Sequence, residues 1–152
     1  MKQLLIEKYI EPSEVIININ SVIERWLDRN GELHSFMGQP SVIRYENGQI
    51  NAHSWHKKDK LHRDNNLPSV IWYNQYEQTI RKDWFKKHVL HRDEDMPAVI
   101  CYDENGKIKS QDWYKNGEFV KTIDKTNETN EEQKHSYRKI HPAIRNKTRN
   151  KR

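Results

Sequence analysis

A repeat of 29 residues constrains this chain more than any other feature. Four tryptophans follow one another at intervals of 29 residues: Trp26, Trp55, Trp84 and Trp113. Between them recur a Leu-His pair and a Pro-Ser/Ala-Val-Ile run, which supply His34, His62 and His91 and also Pro40, Pro68 and Pro97. Repeats of this length bury their apolar face only against their neighbours, so the sequence predicts a stacked array.

The repeat unit is typical of β structure. A proline opens each Val-Ile-x-Tyr run, and proline can begin a strand but is excluded from its interior. Asn-Gly pairs at 47–48, 105–106 and 116–117 are hairpin turn signals. Each unit is therefore predicted as a strand, a tight turn, a strand ending near the tryptophan, a second turn and a short Leu-His strand.

Alternation along the first strand of each unit predicts which face is buried. The positions of Ile43 and Tyr45 are occupied by isoleucine and tyrosine in every unit, and their side chains point to the same face. The position between them varies as Arg44, Trp72 and Cys101. Because side chains alternate across a strand, the variable position is expected on a less buried face. The predicted fold is all-β, an elongated antiparallel meander of about three hairpin repeats.

The boundaries of this array follow from the pattern. Residues 1–123 are predicted to form it, with units at about 26–54, 55–83 and 84–112 and half units at both ends. Terminal half units are expected, because an open array must be capped. Residues 124–152 are predicted to form a basic C-terminal tail that is partly helical or disordered.

Unit length, Asn-Gly hairpin turns and recurring aromatic residues together resemble a variant of the MORN repeat. The form with Leu-His-Arg-Asp-x-x-x-Pro-Ala-Val-Ile is similar to repeat proteins abundant in giant DNA viruses of the Marseillevirus and Pithovirus kind. The resemblance covers about residues 12–123, although typical MORN units are shorter and glycine-rich and this chain has five glycines. It implies an elongated β array for protein contacts, self-association or membrane-proximal scaffolding, and it carries no catalytic residues over.

The recurring histidines have a chemical and a structural interpretation. A ladder of His34, His62 and His91 could bind a metal, but none has a second ligand close in sequence. The His-Arg-Asp triplets at 62–64 and 91–93 match the catalytic loop of protein kinases, whose other motifs are missing. We therefore expect the histidines to bond a nearby aspartate or backbone group. Asp64 and Asp93 are expected to stabilise turns through backbone N–H groups, and no enzyme activity, metal or cofactor is predicted.

The tryptophans also have two interpretations. The four that recur could form a stacking platform for bases, but a thin array with few aliphatic residues needs aromatic burial, so packing is predicted. Trp72 and Tyr76 do not recur. Both are expected to be exposed and to form a partner-contact patch.

Charge is concentrated at the C-terminus. Residues 125–152 carry a net charge of +6 and the remaining residues a net charge of −1. The last fifteen residues hold seven cations and no acid: Arg138, Lys139, Arg145, Lys147, Arg149, Lys151 and Arg152. Such a segment suits nucleic-acid binding, nuclear targeting, an anionic membrane surface or solubility alone.

Composition limits compartment and class. Hydrophobic residues make up 34% of the chain, and no apolar run approaches the ~20 residues of a membrane span. A single cysteine and an early charged N-terminus predict an intracellular protein. The resemblance to repeat proteins of giant DNA viruses implies host cytoplasm, nucleus or virion. The expected function is a non-catalytic scaffold for protein contacts and self-association, with a homodimer favoured because a single sheet leaves an apolar stripe on one face. The alternative is non-specific nucleic-acid binding through the tail.

Overall fold

The computed structural model describes residues 11–125, and all regular structure in that range is β. No helix in this part of the chain is long and apolar enough to cross a membrane. The strands are β1 (Glu14–Ile17), β2 (Ser21–Arg25), β3 (Val42–Glu46), β4 (Gln49–Ser54), β5 (His56–Lys57), β6 (Lys60–Leu61), β7 (Val70–Tyr73), β8 (Thr79–Asp83), β9 (Phe85–Lys86), β10 (Val89–Leu90), β11 (Val99–Tyr102), β12 (Ile108–Lys115) and β13 (Glu118–Asp124).

Nine of these strands form one antiparallel sheet in the order β1-β2-β3-β4-β7-β8-β11-β12-β13. Every neighbouring pair is antiparallel, and no strand order is inverted along the chain. The predicted meander of serial hairpins is therefore confirmed. The predicted tail at 124–152 lies outside the described residues, except for Asp124 and Lys125.

Each of the three central hairpins carries a β-bulge at the same place. The register shifts opposite Arg44, Trp72 and Cys101 leave Asn51, Ile80 and Lys109 without a cross-strand partner. Each of these residues lies four positions before a tryptophan. An extra residue in one strand reverses the alternation of side chains beyond it, so simple alternation does not predict the faces between the bulge and the tryptophan.

Two-stranded ribbons project from the sheet after the second and third tryptophans. β5 pairs with β6 and β9 with β10, and neighbouring ribbons are joined by backbone bonds. The N–H groups of Asp59, His88 and Gly117 donate to the carbonyls of Leu33, Leu61 and Leu90 at 3.1, 2.9 and 2.9 Å. The Leu-His segments thus connect each ribbon to the next.

Gly117 shows how closely the ribbons approach one another. Its φ is +88°, a left-handed conformation that favours glycine, and a Cβ added there would lie 2.9 Å from Cγ1 of Val89 on the preceding ribbon. Other ribbon turns reach left-handed φ with Lys58, Asp59, Lys87 and His88. Only at residue 117 do both backbone and packing require glycine.

The core occupies both faces of the sheet near the tryptophans, which corrects the expectation of one buried face. Val42, Val70 and Val99 are 4%, 6% and 2% exposed. They share the face of Arg44, Trp72 and Cys101, since residues two apart on a strand point the same way. On the other face, Ile100 packs with Trp84 and Ala98. Alternation failed here because the tryptophan end of each hairpin is covered on both sides.

Candidate interaction surfaces

The recurring tryptophans fasten each unit to the loop before it. The indole N–H groups of Trp55, Trp84 and Trp113 donate to the backbone carbonyls of Gly38, Asn66 and Asp95 at 2.8, 2.9 and 2.7 Å. Trp55 and Trp84 are buried, at 5% and 7% exposure, whereas Trp26 and Trp113 are half-buried. Bases could not stack on the two central rings without unfolding the array.

A cation covers three of these rings. The guanidinium carbons of Arg63 and Arg92 lie 3.7 and 3.9 Å from the ring centroids of Trp55 and Trp84, and Lys121 Nζ lies 4.5 Å from that of Trp113. Burial lowers the pKa of both arginines, although they remain cationic at neutral pH. These cation–π contacts occupy the basic side chains that the His-Arg-Asp triplets supply.

The backbone carbonyls of Pro68 and Pro97 accept hydrogen bonds from these guanidinium groups. The Nη1 atoms of Arg63 and Arg92 donate to them at 3.3 and 3.2 Å. Pro68 and Pro97 therefore mark the point where the loop meets the arginine–tryptophan stack. Pro40, at the matching position of the first unit, is half-buried and has no arginine of this kind.

Each triplet histidine bonds the aspartate two residues later. Nε2 of His62 and of His91 lies 2.9 Å from the carboxylates of Asp64 and Asp93. Nδ1 of His91 also accepts a bond from the Asn116 N–H at 3.2 Å, so both of its ring nitrogens are used. His34 has no such aspartate, because Phe36 takes that position in the first unit.

The expected role of the triplet aspartates is wrong in one respect. The carboxylates of Asp64 and Asp93 bond histidine and lie 3.9 and 3.1 Å from Lys57 and Lys86, while their backbone carbonyls accept the turn bonds. The histidine hydrogen bond is the main cause that lowers the pKa of each carboxyl group. The carboxylates bond a side chain instead of backbone N–H groups, because the histidine two residues earlier lies within hydrogen-bond distance.

A groove of about 250 Å³ separates the two triplet loops. Its walls include His62, Arg63 and Asp64 on one side and His91, Arg92 and Asp93 on the other. The charged groups in it are already engaged with one another or with tryptophan rings. Among the residues that line the groove, Nδ1 of His62 and Nε of Arg63 are buried without a hydrogen-bond partner in the described part of the chain.

A buried serine–histidine pair escaped the sequence interpretation. Ser41 Oγ lies 2.8 Å from Nδ1 of His56, an arrangement that elsewhere activates a nucleophile. Ser41 is 0% exposed, so no substrate reaches its hydroxyl. Burial is the main cause that lowers the pKa of His56 to about 4, which keeps the imidazole neutral near pH 7.

Of the two residues expected to form an exposed patch, Trp72 and Tyr76, only one is exposed. Tyr76 is 73% exposed, as expected. Trp72 is half-buried rather than exposed, and its indole N–H donates to Asp83 Oδ2 at 2.9 Å. Asp83 also accepts from Arg81 Nε at 2.7 Å and is 3% exposed. The single residue Tyr76, in the turn between β7 and β8, remains as the exposed part.

Exposed apolar side chains follow one another along the two end strands of the described sheet. On the N-terminal side Val15, Ile16 and Ile17 are 51%, 40% and 75% exposed, followed by Ile19 at 99%. On β13, Phe119, Val120 and Ile123 are 57%, 58% and 38% exposed. The expected stripe along one sheet face is thus replaced by two apolar terminal strands. The β-branched runs in the half units were the signal for them.

Comparison of the chain with protein-family models, with curated proteins and with solved structures found no match. The resemblance to MORN-variant repeats therefore stays a prediction. The seven cations of the tail, from Arg138 to Arg152, lie outside the described residues.

Proposed function

We propose that this protein is a non-catalytic repeat scaffold that mediates protein–protein contacts, including its own self-association. The observation that carries the proposal is the placement of exposed apolar side chains. The central hairpins bury their first valine, Val42, Val70 or Val99, to 6% exposure or less, whereas the terminal strands expose Ile17 to 75% and Phe119 to 57%. Apolar patches left exposed by a monomer commonly mark interaction sites.

The way in which units are joined supports a scaffold role. Trp55, Trp84 and Trp113 each bond the preceding loop, and neighbouring ribbons are joined by backbone bonds. Nine strands spaced by ~4.8 Å place the two terminal strands roughly 38 Å apart. Such an array holds two contact surfaces at a set distance.

Side-chain chemistry in the described range supports a non-catalytic role. The histidines and aspartates of the triplets bond one another, the arginines lie on tryptophan rings, and Ser41 is buried. A catalytic group must reach its substrate with an unused atom. The resemblance to MORN-variant repeats is the sole support for assigning the scaffold to a large DNA virus.

Light scattering coupled to size-exclusion chromatography tests self-association. The double variant Ile17→Lys/Phe119→Lys should shift the oligomer to monomer, because both terminal strands then carry charge. Met37→Lys is the matched control: it changes an apolar residue, 91% exposed in a loop, to the same cation. A wild-type protein that is monomeric over a wide concentration range and retains no protein partner would refute the proposal.

A second candidate function is non-specific nucleic-acid binding, favoured by the charge of +7 in residues 138–152. If four to six of these cations contact phosphates, log affinity should fall against log salt with a slope of roughly −4 to −5 on duplex DNA. Deleting residues 138–152 should abolish binding and leave the melting temperature nearly unchanged. Isotherms at several salt concentrations for both proteins test this, and retained binding would transfer the site to the array.

A further inference from the structure

The number of strands in the sheet limits how two copies can join. Neighbouring strands run antiparallel throughout, so the first and ninth, β1 and β13, run in the same direction. Stacking copies head to tail with the same face up would place β13 beside β1 as a parallel pair. Parallel pairing is slightly less stable per residue and would occur nowhere else in this sheet. Pairing identical edges about a two-fold axis keeps both the antiparallel direction and the face.

The backbone of β1 is suited to such pairing. The Asn18 N–H donates to the Ser21 carbonyl at 2.8 Å, which fixes the alternation of the β1–β2 hairpin. Asn18 and Ile16 therefore direct their backbone groups inward, and Val15 and Ile17 direct theirs outward. The same two residues have side chains that are 51% and 75% exposed, on one face of the sheet. Within residues 11–125 their outward backbone groups have no strand partner, because β1 is the first strand of the described sheet.

Charge distinguishes the two edges. No charged residue occurs between Val15 and Ile17, and Glu14 is engaged with Arg25 at 2.9 Å. β13 carries Glu118, Lys121 and Asp124. Charged residues on an edge strand oppose pairing with another chain, and β13 carries three of them whereas β1 carries one, at its first residue.

From these observations we propose that β1 of one molecule pairs antiparallel with β1 of a second copy about a two-fold axis at Ile16. Val15 then lies opposite Ile17 of the second copy with outward backbone groups bonded, and the two sheets become one. The side chains of Val15 and Ile17 from both copies then pack against one another at the centre of the interface. This inference rests on the self-association proposed above and names its partner and geometry.

Two matched substitutions test which edge is used. Val15→Lys on β1 should weaken the dimer at least tenfold, measured by sedimentation velocity over a concentration series. Val120→Lys on β13 makes the same change at a similarly exposed residue, 58% against 51%, and should leave the dimer intact. Val15→Pro removes an outward N–H that pairs with no other strand of the described sheet, and should also weaken the dimer while thermal unfolding by circular dichroism stays cooperative.

A cysteine substitution tests the axis. In a Cys101→Ser background, Ile16→Cys should form a disulfide-linked dimer under mild oxidation, because a residue on the axis faces its own copy at a Cβ separation of ~4.5–5.5 Å. Dissociation by Val120→Lys alone, or open-ended polymers, would overturn the proposal. A dimer that resists both lysine variants would overturn the β1 interface and leave self-association standing. A wild-type protein that stays monomeric would refute both the β1 interface and self-association.

Discussion

Replacing Gly38 by asparagine should stabilise the array, because it supplies an acceptor that Arg63 lacks. Arg63 and Arg92 occupy the same position in successive units, and Arg92 Nε donates to Asn66 Oδ1 at 2.9 Å. The residue that matches Asn66 in the earlier unit is Gly38, since each carbonyl accepts from the following tryptophan. Nε of Arg63 is buried and has no hydrogen-bond partner among the described residues.

The structure gives room for the change. A Cβ at Gly38 would meet nothing within 4 Å, and its φ of +80° is a left-handed conformation that Asn66 also adopts, at +55°. Asparagine tolerates this region better than most residues. A hydrogen bond to a charged group contributes about 1.5–3 kcal/mol. Allowing for residual backbone strain, we expect about 1–2 kcal/mol, a rise in melting temperature of roughly 4 °C or more.

Chemical and thermal denaturation of a matched set would measure this effect. Gly38→Ala adds a Cβ at the same φ without an acceptor and should destabilise. Asn66→Gly should lose about as much as Gly38→Asn gains, because it leaves Arg92 Nε unpaired. In an Arg63→Ala background the benefit of Gly38→Asn should vanish. If Gly38→Asn is no more stable than Gly38→Ala, or its benefit survives without Arg63, the proposed hydrogen bond is wrong.

Three further outcomes are expected from the same assays. Trp84→Ala, in the array interior, should cost about 3–5 kcal/mol, and the half-buried Trp113→Ala should cost less; equal losses would contradict stacked units. Stability should fall as pH drops from about 6.5 to 4, by up to ~1.4 kcal/mol per pH unit, because the unfolded state protonates His56 before the folded state, where its pKa is about 4. His56→Gln should flatten that slope in denaturant titrations at several pH values, and an unchanged slope would exclude His56 as its source. Gly117→Ala should lower the urea midpoint by an amount worth more than ~1 kcal/mol, since its Cβ would crowd the preceding ribbon, and a neutral result would show that the ribbons adjust freely.

Much of the local structure was readable from the residues. Proline before Val-Ile, β-branched strands and Asn-Gly turns act over a few positions, so the hairpins at Val42–Ser54 and Val99–Lys115 were predicted where they occur. The pairing of His62 with Asp64 was likewise expected, because two residues of separation keep the side chains within reach.

Long-range partners were not readable in this way. Arg63 lies on Trp55, Trp72 bonds Asp83, and Asn66 bonds Arg92, contacts that span 8, 11 and 26 residues. Such pairs depend on how strands twist and loops fold back, which no local pattern encodes. Trp72 was expected to be exposed for this reason: its failure to recur gave no sign of a buried carboxylate nearby.

The sequence by itself determined the repeat, its β character and the serial order of hairpins. These follow from the local conformational preferences of a few residues, which recur in every unit. Only the tertiary structure decided where unburied apolar surface remains and which groups are used up. How much of a strand is buried depends on the strands beside it. Each inner strand of the described sheet lies between two others, whereas β1 and β13 each adjoin only one. The same β-branched residues that form a core within the array are therefore left exposed at its ends.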